Sequence, residues 1–349
     1  MPCIIIDAGV LVLPETKHTA GVEREDVERY VENLLGLAAL KDASGVTICM
    51  SEGASDALWN DGLYPEFYRL EAALKATEAY SANDLAARIP SFFQAPSFET
   101  HVRISNVQTE TYLPATKPDI FGLCAGKHLK ENLANCLVLV AFLRSQCQGA
   151  SSDCVLFLRR APQQDIHVHA QIIFNHTRDD LSKLALPAKI CGYVPVHGDL
   201  KRLIKRLDAA SILLQATDAA GAKMAVRIAV YQGRLLNGIE PDWDDDLRFK
   251  VHNEFLASFK RRKPKRQLAE KLLKSIVGAI KGSTADEPHP LRIGPGGNDP
   301  PRTRKRDGAK AMRRDIIGDD YHLHYWDCKR DGIELAWVSY PHDDFYIPE

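Results

Sequence analysis

The sequence predicts an α/β (or α+β) N-terminal domain joined to a small α+β C-terminal domain, and three observations carry that prediction. Nearly continuous β-branched and apolar runs, of which "CIIIDAGVLVL" is the first, alternate with segments of helical spacing over much of the chain. The composition turns basic near residue 245. The stretch from Asp319 to Glu349 then holds two short strands of period 2 around a polar turn. At 349 residues the chain exceeds one ordinary core, so the expected division is 1–245 and 246–349.

Each element has its own signal. "CIIIDAGVLVL" reads as a strand buried on both faces. "EREDVERYVENLLGLAAL" places Val27, Tyr30, Val31, Leu34, Leu35 and Ala38 at helical spacing. "GVTICMSEGASDALWNDGLYP" is a strand running into a helix, with Ser51 in position to cap it. Helices are predicted at "PEFYRLEAALKATEAY", "SANDLAARIPSFFQ" and "HLKENLANCLVLVAFLRSQ". Asp153 to His176 reads as a hairpin with an "APQQD" turn, "DLKRLIKRLDAASILLQA" as one amphipathic helix, and "KMAVRIAVYQG" as a strand. Beyond the acidic "DWDDD" come a helix, the basic break "KRRKPKR", a second helix and a segment rich in Pro, Gly and Arg.

The net charge of −1 conceals an asymmetry. Residues 1–246 carry 24 basic and 31 acidic side chains, residues 247–330 carry 21 and 10, and the last 19 carry 0 and 5. The middle block, at +11, is the electrostatic footprint of a surface that faces nucleic acid or an acidic protein. The eight cysteines are scattered, with no C-x-x-C pair, which argues for a reduced cytoplasm and against a zinc site. The longest apolar run, Cys136 to Leu143, is far short of a membrane span, and the opening residues read as a strand and not a leader.

Between Arg292 and Arg314 eight basic residues fall within 23 positions: Arg292, Arg302, Arg304, Lys305, Arg306, Lys310, Arg313 and Arg314. Arginine forks match phosphate oxygens, so this segment is the expected nucleic-acid contact. In "YHLHYW" alternation sets Tyr321, Leu323 and Tyr325 on one face and His322, His324 and Trp326 on the other. In "GIELAWVSY" it sets Ile333, Leu335 and Trp337 against Glu334, Ala336 and Val338. Cleavage of RNA by its own 2′-hydroxyl needs a base, an acid and cations around the phosphorane, which histidine and arginine supply near neutral pH. The His-x-His pair has no third metal ligand at a characteristic spacing, so no cofactor is expected there.

From about Leu268 to Tyr346 the order of features resembles the RelE/ParE superfamily of small bacterial toxins, which includes HigB-type messenger-RNA interferases. "QLAEKLLKSIVGAI", the basic "HPLRIG…RTRKRDGAKAMRRDI", "DYHLHYW" and "GIELAWVSYPHDDFY" follow that family's helix, basic strand and paired closing strands. The resemblance puts His322 and His342 at the family's basic positions with Tyr346 beside them, and His324 shares the His322 face, so these four are the expected catalytic residues; Arg292, Arg302, Arg304, Lys305, Arg306, Arg313 and Arg314 are the expected RNA contacts. Histidines stand where the family usually has arginines, and Asp343 and Asp344 put negative charge where it tends to be basic.

The N-terminal half offers a different chemistry. Asp7 lies in the first strand, and Glu52 and Asp56 follow the second, where metal-dependent nucleases keep the carboxylates that hold Mg²⁺. "IIIDAGVLVL" and "VTICMSEGASDAL" resemble the PIN-domain ribonucleases, and Asp84 and Glu99 are further acidic candidates. In "DIHVHAQIIFNH", His167 and His169 share a strand face and, with His176, read as structural.

The expected function is therefore that of a cytoplasmic, RNA-binding and RNA-cleaving effector that needs no metal. Its setting, a toxin–antitoxin or phage-defence system with a protein antitoxin or defence-complex partner, follows from the resemblance. The alternatives are a non-catalytic nucleic-acid-binding or assembly subunit, and a metal-dependent nuclease using Asp7, Glu52 and Asp56.

Overall fold

The computed structural model describes residues 3–14, 24–75, 77, 80–110, 113–147, 154–239, 243, 247–282, 288–294, 299–316, 320–340 and 346–349. The fold is mixed α/β. Its packing divides the chain into two compact units, Met1–Lys41 with Val46–Leu203, and Asp42–Gly45 with Ile204–Glu349. The composition change near residue 245 therefore lies inside the second unit.

The first unit contains β1 (Cys3–Ile6), α1 (Arg24–Lys41), β2 (Thr47–Met50), α2 (Ala54–Asn60), α3 (Phe67–Leu74), α4 (Ala82–Gln94) and α5 (Phe98–Val102). It continues with β3 (Ile104–Thr109), β4 (Ala115–Lys117), α6 (Lys127–Gln146), β5 (Cys154–Phe157), β6 (Ile166–His176), β7 (Ala188–Val194) and β8 (Val196–His197). Four strands form a parallel sheet in the order β2-β1-β5-β8. All four residues of β1 are buried, as the unbroken apolar run requires of a central parallel strand. A second, antiparallel sheet is built on the long β6, with β7 along one edge and β4 and β3 along the other.

Helix α6 packs against β3, β6 and β7 of the antiparallel sheet and against β5 of the parallel one. Every residue from Cys136 to Leu143 is buried, because both sides of the helix meet a sheet. Its N-terminus is closed by Asp61, whose carboxylate accepts the His128 and Leu129 amides at 3.2 and 2.9 Å.

Helix α7 (Leu200–Arg206) carries the chain into the second unit, which adds α8 (Ala209–Gln215), α9 (Ala219–Leu236), β9 (Phe249–Val251), α10 (Asn253–Arg261) and α11 (Arg266–Ile280). Strands β10 (His289–Pro290), β11 (Lys310–Asp315), β12 (His322–Asp327) and β13 (Ile333–Ser339) follow. The sheet order is β10-β11-β12-β13-β9, antiparallel throughout except that β9 runs parallel to β13. The β12–β13 turn needs Gly332, at φ +82°, where a Cβ would collide with the Arg248 carbonyl.

Four sequence expectations are corrected. Residues 153–176 do not form a hairpin: β5 joins the parallel sheet, whereas β6, whose alternate residues face solvent, joins the antiparallel one. "KMAVRIAVYQG" is helical, within α9, which Asp218 caps by accepting the Gly221 amide at 2.7 Å. The helix expected over 199–216 breaks into α7 and α8, because Asp208 turns its carboxylate onto the Ala210 and Ser211 amides and starts a new helix. Ser51 does not cap α2, whose N-cap is Gly53; its hydroxyl accepts instead from Asn132 on α6.

Candidate functional site

The terminal hairpin is buried on both faces. Helix α10 packs on β13 from one side, where Ser258 Oγ accepts the Val338 amide at 2.9 Å. On the other side Ile347 joins Leu291, Ala309, Ala311, Trp326 and Ala336 in one apolar cluster, and Trp326 Nε1 donates to the Pro348 carbonyl at 2.8 Å. A β-bulge between His324 and Tyr325 pairs His324 with Trp337 and Tyr325 with Leu335, leaving Ala336 extra. Trp337 consequently shares the His324 face, contrary to strict alternation.

His324 is fully buried and engaged at both ring nitrogens, Nδ1 with the Tyr346 carbonyl at 2.8 Å and Nε2 with Ser339 Oγ at 3.0 Å. It is a structural tie between β12, β13 and the closing residues, so its expected catalytic role has no open face to act on. His322 is half-buried, with Nε2 3.3 Å from Asp315 on β11. Tyr346 is exposed; its ring stands edge-on to Trp337 and its hydroxyl donates to Glu254 at 3.2 Å, a carboxylate that adds to desolvation in raising the phenol's pKa. His342 lies outside the described residues, as do Asp343 and Asp344.

The basic segment divides in the same way. Arg304, 2% exposed, grips Asp307 with two nitrogens at 3.0 and 2.6 Å, donates to Glu334 at 2.8 Å and lies over the Trp326 ring. This pairing holds the Asp307 carboxyl down at about 2 and raises the Arg304 pKa further. Arg314 is buried against Gly278 of α11. Arg292, whose Nη1 donates to the Asp299 carbonyl, is half-buried, as are Arg302 and Arg313. Lys305, Arg306 and Lys310 face solvent, with Arg306 also 3.2 Å from Glu334. Two of the seven expected RNA-binding residues, Arg304 and Arg314, thus serve the core of the unit.

The first unit gathers polar groups at the carboxyl ends of β1 and β2, where open parallel sheets place their ligand crevices. Asp7 directly follows β1 and is 5% exposed. Its Oδ2 accepts the Gly9 amide at 3.0 Å, while Oδ1 accepts no hydrogen bond among the described residues. Burial pushes its pKa up to about 7 against the opposing pull of the Gly9 and Ala8 amides. Ser51, after β2, accepts from Asn132 Nδ2, and the buried Asn132 Oδ1 likewise has no partner among the described residues. Cys136, one turn along α6 from Asn132, is buried; burial first, and the charges of Glu99 and Asp7 next, raise its thiol pKa against the opposing effect of Ser51. Half-buried Glu99 accepts the Glu52 amide at 2.9 Å, and burial raises its pKa too.

No protein-family model, curated protein or solved structure matches this chain. The site is therefore read from its own residues. The structure keeps Asp7 at the crevice but exposes the side chains of Glu52, Asp56 and Asp84. Asp7, Glu52 and Asp56 do not converge as a ligand group; the one group of three among the described residues is His167, His169 and Cys191. Asn132 went unread because an amide that follows Glu131 and precedes "LANCLVLVAF" looks like part of the polar face of a helix.

Among the described residues no helix is long and apolar enough to cross a membrane.

Proposed function

We propose that this protein is a metal-dependent, RNA-directed nuclease that holds its catalytic cation at Asp7, with the second unit contributing RNA binding through its exposed basic residues. The observation that carries the reading is Asp7 itself: a buried carboxylate at the carboxyl end of a central parallel strand, with one oxygen left without a hydrogen bond among the described residues. The donor set is hard, a carboxylate and an amide oxygen with a serine hydroxyl behind them, which suits Mg²⁺ or Mn²⁺. Those residues fit a site that keeps several waters and completes its shell with substrate phosphate. Asp7 and Asn132 are the residues that would hold such a cation, which would supply Lewis-acid polarisation of a phosphodiester and an activated water. Ser51 fixes the Asn132 amide so that its oxygen stays available, and the amides at Gly9 and Ala8 hold the Asp7 carboxylate in place.

The resemblance to PIN-domain ribonucleases supports this chemistry, and the resemblance to RelE/ParE toxins supports RNA as the target. The second of these implies a toxin–antitoxin or phage-defence setting. The hairpin is assigned to binding and not to cleavage, since both ring nitrogens of His324 are committed within the fold.

The test is incubation of the purified full chain with mixed RNA and DNA pools, with Mg²⁺ or Mn²⁺ and with chelator. RNA cleavage is expected to require the cation, to disappear in Asp7→Asn and to fall in Asn132→Ala. Cleavage that survives chelation and Asp7→Asn but is lost in His342→Ala would move the chemistry to the hairpin. Preferential cutting of DNA would overturn the choice of substrate.

A further inference from the structure

We propose that His167, His169 and Cys191 form a three-ligand zinc site on the open face of the antiparallel sheet, separate from the Asp7 crevice in residues and in chemistry. His167 and His169 are two apart on β6 and so emerge on one face, and Cys191 on β7 is the direct cross-strand partner of His169. All three ligand atoms lie within 4.8 Å of one another. The Cys191 sulfur is 3.6 Å from His167 Nε2 and 4.0 Å from His169 Nε2.

Those separations are what a zinc ion would impose. With Zn–S of about 2.3 Å and Zn–N of about 2.0–2.1 Å, ligands at tetrahedral to trigonal angles place S and N roughly 3.6–3.8 Å apart. The two sulfur–nitrogen separations thus need shifts of only tenths of an ångström to fit the ion, while the two imidazole nitrogens, within 4.8 Å of each other, would draw together on binding. It is also preassembled: the two imidazoles meet edge to face at 4.3 Å, and Tyr193 packs its ring 4.5 Å from His167. Two imidazoles and a thiolate are borderline-soft donors that select zinc over Mg²⁺ or Ca²⁺. Binding converts the Cys191 thiol to thiolate and releases its proton to solvent, so affinity rises with pH.

Both Cys191 and His169 are exposed, so the fourth position opens outward. Three protein ligands and one open position are the pattern of a zinc that binds water or an incoming ligand, not of a closed structural site. Across β6 from the histidines, Lys117 of β4 pairs with His167 and Ala115 with His169, which leaves a cationic neighbour and a small residue beside the opening.

The proposal is tested by titrating the metal-free full chain with Co²⁺ as spectroscopic probe and then displacing it with Zn²⁺. Wild type should take up one equivalent with a sulfur-to-cobalt charge-transfer band and the intense visible bands of four-coordinate cobalt. Cys191→Ser should lose the charge-transfer band. His169→Gln should weaken binding by more than the ~10–100-fold that follows loss of an outer-shell partner. The substituted side chains are at the surface, and circular dichroism verifies that each variant folds. Zinc should also protect Cys191 from alkylation, as read by peptide mass. A missing charge-transfer band in wild type, an unchanged band in Cys191→Ser, or alkylation of Cys191 indifferent to zinc would each overturn the site.

Discussion

Two residues that look chemical in the sequence are architectural in the fold, and their substitution separates the two kinds of role. Arg304 is buried with Glu334 and Asp307. Arg304→Ala leaves Glu334 buried with a reduced set of partners, an effect of about 3–5 kcal/mol for a buried pair, whereas Arg306→Ala at the surface should cost about 0–1 kcal/mol. Urea denaturation of the two variants checks this, and equal midpoints would contradict it. His324→Ala removes bonds to Ser339 and the Tyr346 carbonyl and should cost about 1–3 kcal/mol while leaving RNA binding intact. Asp7 is the opposite case. Its pKa in the fold, about 7, lies above the ordinary carboxylate value of roughly 3.9 in the unfolded chain. The stability associated with the protonated carboxyl is then fully present below about pH 4 and is lost as pH rises through 7. In metal-free buffer, melting temperature should fall between pH 4 and 8 more steeply for wild type than for Asp7→Asn. Parallel curves would mean that Asp7 titrates as an ordinary carboxylate. Asp7 was legible from sequence because an acid ending a β-branched run is conspicuous. Cys191 was not, because the thiol meets His167 and His169 only through the β6–β7 register.

At the level of elements, the chain's local signals were read well where one face of a helix is apolar and poorly where burial is complete or alternation is imitated. Helices α1, α4, α10 and α11 lie where their sequences placed them, and so does α6, which its length marks as a helix although it is buried on both sides. Helix α9 read as a strand because "MAVRIAV" alternates in size, yet Met224, Ala225, Val226 and Ile228 are all buried, which a one-faced strand would not give. The mistaken β5–β6 hairpin has the same root: two neighbouring apolar runs say nothing about which sheet each will join. The basic segment was legible as charge but not as geometry, since its fold buries Arg304 and Arg314 and leaves Lys305, Arg306 and Lys310 in solvent. Replacing the three exposed residues together by Ala should weaken RNA binding and reduce the log–log salt slope by about 0.7 for each phosphate no longer neutralised. Thermal stability should hardly change. An unaltered salt slope would assign this surface to a protein partner. Adding Arg304→Ala should instead lower the melting temperature, which is why a wholesale substitution of the segment would confuse unfolding with weakened RNA binding.

Over the whole molecule, charge and packing draw different boundaries. The basic composition begins near residue 245, but α11 packs against α8 and α9 on one side and against β11 and β12 on the other. The join is also polar: Arg266 pairs with Asp208 at 2.9 Å, and Lys260 Nζ donates to the Leu214 carbonyl. Buried apolar side chains of α11 include Leu268, Leu272, Leu273 and Ile276. Each fully buried Leu or Ile contributes about 1.5–3 kcal/mol, and a whole domain retains only about 5–15 kcal/mol, so baring several of them removes most of its stability. A fragment of residues 246–349 should therefore aggregate or melt without cooperativity. Residues 204–349 should give a soluble fragment with a cooperative transition, although without Ser44, which hydrogen-bonds Asp218 at 2.8 Å and receives the Thr217 amide at 3.0 Å. Calorimetry on both fragments decides between the boundaries. If the shorter fragment melts as sharply and at the same temperature as the longer, α8 and α9 are dispensable and the basic module is a folding unit on its own.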